Sequence, residues 1–301
     1  MKSKSLQSGA SRRLRLGDRA LPFFLVLPSA VFVLLFLVAP VFYAFWCSLW
    51  RCDYMNFTKF VGLDNYIGVF KNASFIRSFF LTMKISLAGF AISLALGVLF
   101  AVWIDKMRRI SAYILEMIIL VPWVTSMVVS ALLWKWLFQD SLGLVNYLLN
   151  EVGLASVKFL SDKNVVVWTL IFVTSWRLIA YAMIQVLAGL KAIPKEYEEA
   201  AIIDGATRSQ LFWRIKIPML KTPLAVSSII IALSNINNVV VPRALTGGGP
   251  GEATMVLGIK VYNESFSYFH FGDSSAMSIL LCLINFILII LYVKAVKYDV
   301  K

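Results

Sequence analysis

Gly247-Gly248-Gly249 is the one run in this sequence that could cradle a phosphate, and no lysine follows it. A nucleotide loop reads Gly-x4-Gly-Lys-Ser/Thr: the glycines expose backbone N–H groups and the lysine meets the phosphate charge. No Gly-Lys dipeptide occurs anywhere in the chain, and Pro250 closes the glycine run as a turn. Nucleotide binding by this chain is therefore not expected. His270 is the only histidine and falls in an external segment, so no Ser/His/Asp set is expected inside one compartment, and no catalytic residue is expected. The three cysteines, Cys47, Cys52 and Cys282, form neither a CxxC pair nor a Cys/His group, so no metal site is expected. For Cys47 and Cys52 ordinary apolar packing is the expected state, with a disulfide as the alternative.

A second group of polar residues lies inside long apolar blocks. One block holds Trp176, Arg177, Tyr181 and Gln185; another holds Ser234, Asn235, Asn237 and Asn238. Polar groups at membrane depth are costly and face a cavity or another helix. Asn both donates to and accepts from hydroxyls, and aromatic faces cover the apolar side of a sugar ring. Trp176, Arg177, Tyr181, Asn235 and Asn238 are thus candidates for a pathway carrying a polyhydroxylated substrate. The competing role is hydrogen bonding between helices. Arg177, the only charge inside any block, could instead meet a carboxylate of a partner chain or an aqueous face.

The third group is a polar loop from about 191 to 221. Pro194 suits a helix start, because its missing N–H costs nothing there. Glu196, Glu198 and Glu199 follow in the first turns, where the helix dipole favours carboxylates. Gly205 marks the end of that helix. Thr207 and Gln210 have capping-box spacing, so a second helix starts at Thr207 and is expected to stop before Pro218. Small residues (Ala200, Ala201, Gly205, Ala206) stand beside apolar ones (Ile202, Ile203, Leu211, Phe212), a surface another protein can approach closely.

Glu199-Ala200-Ala201, three residues, Gly205, nine residues, Ile215, one residue and Ile217-Pro218 resembles the EAA motif of ABC importer permeases, with Ile217 where the family usually has Leu. The resemblance implies that the loop is a coupling helix docking on an ATPase subunit, through Glu199, Ala200, Ala201, Ile203, Asp204, Gly205, Ala206 and Phe212. Phe60 to Tyr66, Leu187-Ala188-Gly189-Leu190 with Ile193-Pro194, Ile203 to Ala206, Thr246 to Pro250, Tyr262 with Phe266, and Gly272 with Ser275-Ala276 are similar to the carbohydrate branch, the maltose and glycerol-3-phosphate type permeases. This implies a type I importer fold, a second homologous permease subunit beside this one, two ATPase subunits holding ATP and Mg, and an extracytoplasmic solute-binding protein that delivers a sugar-like substrate.

The elements that must position these residues are membrane helices. The chain is 60% hydrophobic and 15% charged, with mean hydropathy +0.80. Spanning lipid takes about 20 mostly apolar residues. Six blocks qualify: Leu21–Trp46, Ile85–Ile104, Met117–Trp134, Val165–Leu190, Pro223–Val241 and Ser275–Val293. The expected architecture is all-α: a basic tail over residues 1–20, then one transmembrane domain over 21–301. The first block runs free of charge to Trp50, far beyond the roughly 7–15 apolar residues of a signal peptide, so it reads as an uncleaved span. Net charge +13 would suggest nucleic acid on a soluble protein, but here the cations lie between apolar blocks, against membrane lipid.

Lys and Arg concentrate in the tail, in the second and fourth loops, and after the last block, although the other loops are longer. That distribution places both termini in the cytoplasm, and the resemblance implies that the membrane is the inner membrane of a bacterial or archaeal cell. A secondary transporter of a small polar solute is the alternative function. That class often shows inverted repeats and intramembrane coupling carboxylates, and neither is evident here. Single cysteines introduced at Ser156 and Ser209, in a cysteine-free background, are expected to react with an impermeant maleimide from opposite sides of the membrane. Labelling of both from the external side would overturn the orientation.

Overall fold

The computed structural model of the protein describes residues 16–297. Most of the tail expected over 1–20 lies outside them, as does Lys301. The helices in chain order are α1 (Leu16–Val33), α2 (Ala39–Ser48), α3 (Asp64–Lys71), α4 (Ala73–Asp105), α5 (Arg109–Val124), α6 (Met127–Leu137), α7 (Leu144–Glu151), α8 (Val165–Lys191), α9 (Lys195–Ile203), α10 (Arg208–Gln210), α11 (Ile217–Met219), α12 (Lys221–Ile236), α13 (Val240–Leu245), α14 (Leu257–Phe266) and α15 (Phe271–Lys297). π-helical turns at Leu34–Val38 and Leu211–Lys216 join α1 to α2 and α10 to α11.

Four helical stretches can each cross a membrane: Phe23–Ser48, Ala73–Asp105, Val165–Lys191 and Phe271–Lys294. Two bent pairs, Arg109–Val124 with Met127–Leu137 and Arg208–Met219 with Lys221–Ile236, bring the number to six if each pair is one span. The apolar block Met117–Trp134, expected as one helix, is therefore broken, with an angle of 101° between α5 and α6. Pro122 lies inside α5 and lacks an N–H. Thr125 and Ser126 adopt extended backbone, and the Thr125 hydroxyl donates to Val121 O at 2.7 Å, a local bond that competes with continued helix. The block Pro223–Val241 also ends early: α12 stops at Ile236, and Asn237 to Val239 separate it from α13.

The middle of the molecule is the crossing of α4 and α8. Asn72 caps α4, its Oδ1 accepting from Ser74 N at 2.9 Å and Phe75 N at 3.2 Å. Asp162 does the same for α8, accepting from Asn164 N at 2.8 Å and Val165 N at 3.0 Å. Gly89, Ser93, Gly97 and Ala101 recur every four residues along α4 and are all buried or half-buried. Such a stripe lets helix backbones approach closely in lipid. A Cβ on Gly97 would stand 2.3 Å from Ala182 Cβ and 3.0 Å from Met183 N of α8. Val166, Leu170, Ile171 and Val173 of α8 then pack with Ile85 of α4, Ala131 of α6, and Val241 and Leu245 of α13. Toward the other end, Met183, Val186, Leu187 and Leu190 pack with Ala101, Ile104 and Leu220.

One departure from an all-helical chain is a hairpin, β1 (Trp50–Asp53) with β2 (Asn56–Phe60). Tyr54 and Met55 make its turn with φ of 50° and 62°. Neither is the Asn-Gly type that signals such turns, which is why the sequence gives no hint of it. The hairpin seats on the start of α15, where Tyr54 N donates to Phe269 O at 3.0 Å. Cys47 and Cys52 are buried there as free thiols.

Gly97→Val is expected to lower the midpoint of thermal unfolding in detergent, because overpacking a close crossing costs about 1–3 kcal/mol or more. Gly68→Ala, where an added Cβ meets nothing within 4 Å, is expected to leave the midpoint in place. Equal midpoints for both variants would show that the crossing is loosely packed.

Candidate functional site

The loop from Lys195 to Met219 is two helices joined at Gly205. α9 ends at Ile203 with Asp204 as its cap, and Gly205 takes φ +81°. Gly205 N donates to Ile202 O at 3.0 Å and Ala206 N to Ala201 O at 2.9 Å, the paired bonds that close a helix on a left-handed residue. Thr207 and Gln210 form the expected reciprocal cap: Gln210 N donates to Thr207 Oγ1 at 3.3 Å and Thr207 N to Gln210 Oε1 at 2.8 Å. The second helix does not stop before Pro218 as expected but runs through it to Met219. The π turn accounts for this, since Ile217 N reaches back five residues to Phe212 O before the proline, which has no N–H, takes its place.

Within this frame the side chains divide by role. Ala201 is buried and Phe212 half-buried, holding the two helices together. Glu199, Ala200, Ile203, Asp204 and Gly205 are exposed, and Ala206 is half-buried. Ile203 is 84% exposed, with Ile202, Tyr197 and Trp213 also open. Glu199 makes no hydrogen bond or ion pair with any described residue. Its neighbour Glu198 accepts from Lys216 Nζ at 2.7 Å, and the same ammonium stands 3.6 Å from Asp105 at the end of α4. The Lys216 side chain is largely buried, so the ionic contact that ties the loop to α4 is little screened by solvent. A groove of about 830 Å³ opens beside it, between Val98, Leu99 and Val102 of α4 and Ile202, Leu211 and Phe212 of the loop.

The polar residues at membrane depth separate into two places. On α8, Trp176 packs edge-on against Trp134 of α6, with ring centres 5.3 Å apart. Tyr181 packs against Trp123 of α5 at 4.9 Å, and its hydroxyl accepts from Gln185 Nε2 at 3.1 Å. Arg177 lies between them and turns toward the break of the third span: its Nη1 donates to Pro122 O at 3.0 Å, to Ser130 Oγ at 3.2 Å and to Thr125 O. On α12, Asn235 is buried, and neither atom of its amide has a hydrogen-bond partner among the described residues. It faces Gly89 of α4. The buried hydroxyls of Ser86 on α4 and Ser175 on α8 are likewise without a partner among the described residues. Asn238 Oδ1 accepts from Val241 N at 3.1 Å and starts α13. Asn237 exchanges amide bonds with Asn285 of α15 at 3.2 and 3.0 Å. Trp123 and Trp134 were not singled out by sequence, because an aromatic in an apolar block carries no signal of what it stacks on.

Residues 93–296 match the family described as binding-protein-dependent transport system inner membrane component. The trehalose/maltose transport system permease protein MalF of Thermococcus litoralis is 31% identical over 97% of this chain and 99% of its own length. The sn-glycerol-3-phosphate transport system permease protein UgpA of Agrobacterium fabrum is 32% identical over 89% of this chain and 91% of its own. Among solved structures, a bacterial ABC transporter involved in import of the acidic polysaccharide alginate superposes with a TM-score of 0.83 at 22% identity, over 94% of this chain and 98% of that one. A second alginate transporter structure gives 0.81 at 23%, over 93% and 96%. At these identities the structural likeness carries the fold, that of the type I permeases.

The two asparagines differ in what their removal takes away. Asn238→Ala removes a helix-start bond and is expected to destabilise by about 0.5–2 kcal/mol. Asn235→Ala removes a buried amide without partners and is expected to leave the thermal midpoint unchanged or raised, as loss of an unsatisfied polar group does. A midpoint lowered by Asn235→Ala would show that its amide is bonded.

Proposed function

Because the chain belongs to the family of binding-protein-dependent transport system inner membrane components, we propose that it passes a neutral or phosphorylated sugar or polyol across the membrane by alternating access. It is a membrane-embedded transport subunit, not an enzyme. Its named relatives, a trehalose/maltose permease and glycerol-3-phosphate permeases, supply the substrate class. The proposed complex adds a second permease, two ATPase subunits that bind ATP and Mg, and an external binding protein. Both termini are taken to be cytoplasmic, on the Lys and Arg distribution.

The observation that carries the reading is the exposed two-helix loop hinged at Gly205 and tied to α4 by Lys216. An ATPase pair that closes around ATP has different contacts with the loop in its two states. Only such differential contact can shift the permease between conformations. The loop's open face, Glu199, Ala200, Ile203, Asp204 and Gly205, is the docking surface, with Ala201, Ala206 and Phe212 shaping it from beneath. Asp105 and Glu198, both held by Lys216, pass its displacement to α4 and so to the α4–α8 crossing. The pathway is assigned to the aromatic pairs at Trp176 and Tyr181 and to Asn235, whose vacant donors and acceptors suit hydroxyl groups. Asn238 shapes the same helix end.

Gly205→Val places a β-branched residue at φ +81°, where even an ordinary side chain costs roughly 1–2 kcal/mol. The space around its Cβ is open, so the fault lies in the backbone and not in a clash. Glu199→Ala removes a carboxylate with no partner among the described residues; loss of a charged hydrogen bond to the ATPase costs about 1.5–3 kcal/mol, a tenfold or greater loss of docking. Expected are membrane insertion of both variants, loss of uptake of maltose, trehalose and sn-glycerol-3-phosphate in Gly205→Val, and reduced ATPase co-purification in both. Normal ATPase retention and uptake in Gly205→Val would refute the docking assignment.

A further inference from the structure

The break between α5 and α6 lies inside an apolar span, where no water satisfies a freed carbonyl. Two carbonyls there, Pro122 O and Thr125 O, have no backbone donor among the described residues. Both accept from a single nitrogen, Arg177 Nη1, which also reaches Ser130 Oγ. Arg177 is 7% exposed and is paired with no carboxylate among the described residues. Its charge is instead met by the carbonyl ends of α5, the negative end of that helix dipole. One side chain from a straight helix thus closes the backbone of a bent one.

The neighbours of Arg177 on α8 make this contact more than a cap. One residue before it, Trp176 packs edge-on against Trp134, which belongs to α6, beyond the break. Four residues after it, on the same helix face, Tyr181 stacks on Trp123, which belongs to α5, before the break. The two aromatic pairs therefore straddle the break, and the angle between α5 and α6 sets how far apart they stand. Gln185, one turn further along α8, donates to the Tyr181 hydroxyl and orients that ring.

We infer that Arg177 is a positioning residue of the transport pathway: by holding Pro122 O, Thr125 O and Ser130 Oγ it fixes the break of the third span and thereby the spacing of the Trp134–Trp176 and Trp123–Tyr181 pairs. The value of those pairs to substrate rests on the pathway reading above; the clasp itself does not. A lysine at 177 keeps a cationic donor for the carbonyls but lacks the planar fork, so it restores part of the restraint. A methionine keeps the apolar stem and removes every donor.

Spin labels at Ser111 of α5 and Lys135 of α6, both exposed, report the angle by double electron–electron resonance in the complete importer purified through its ATPase subunit. Arg177→Met is expected to broaden the inter-label distance distribution about twofold, as the orphaned carbonyls seek other donors, and Arg177→Lys to broaden it less, recovering part of the native width. A native distribution in Arg177→Met, or equal broadening in Met and Lys variants, overturns the clasp. If Arg177→Met does not assemble, Ser130→Ala decides: removing one of the three acceptors broadens the distribution if the clasp holds the break, and an unchanged width overturns it. Trp123→Ala separates the two readings. It is expected to keep the native distance while lowering uptake of maltose, trehalose and sn-glycerol-3-phosphate. Unchanged uptake would remove the aromatic pathway and leave the clasp standing.

Discussion

Every backbone carbonyl and amide in hydrocarbon needs a partner within the protein, because water is not there to provide one. Straight helices meet that demand by themselves, and α4, α8 and α15 are straight and long. Each departure from a straight helix then needs a specific donor or acceptor. Thr125 bonds back to Val121 and Arg177 reaches across from α8 at the break of the third span. Asn238 receives the first free amide of α13, and the π turn at Leu211–Lys216 absorbs Pro218. The polar residues inside apolar blocks are mostly accounted for in this way. Among the described residues Asn235, Ser86, Ser175 and the indole N–H of Trp134 are exceptions, and their vacancy sets them apart from the groups that service the backbone.

The same constraint explains why α8 is central. It is the most enclosed of the membrane-length helices, with two thirds of its apolar window buried. α4 crosses it on a stripe of small residues, α5 and α6 stack on its aromatics, and α12 meets it where Gly189 lies against Leu220 and Pro223. A displacement delivered at the loop after α8 therefore has few places to be absorbed. Lys216 ties that loop to α4, and α4 is locked onto α8, so both arms of the crossing receive the same push.

Much of this was legible before any coordinates. Apolar block length located the spans, and Pro194, Gly205, Thr207 and Gln210 located the two helices of the loop and the hinge between them, because helix ends follow local chemistry. The break at Thr125 was not legible, although Pro122 was in view, because proline alone does not say whether a span kinks or stops. Nor was the partner of Arg177: a lone cation in an apolar block says that something must meet it, and the carbonyls that do so lie 52 and 55 residues away. The four-residue recurrence of Gly89, Ser93, Gly97 and Ala101 was available in the sequence and points to a close crossing; which helix fills it depends on topology. The hairpin at Trp50–Phe60 carried no turn signature at all.

Lys216 stands between two carboxylates from segments almost a hundred residues apart, at 2.7 and 3.6 Å. That arrangement constrains heredity as well as mechanics. A change of Lys216 to a neutral residue leaves Asp105 and Glu198 facing each other across a partly buried gap, so it is tolerated only together with a change at one of them. Loss of either carboxylate alone leaves the other to hold the lysine. Across diverging descendants of this gene, positions 105 and 198 are therefore expected to drift singly, and position 216 to change in company with one of them.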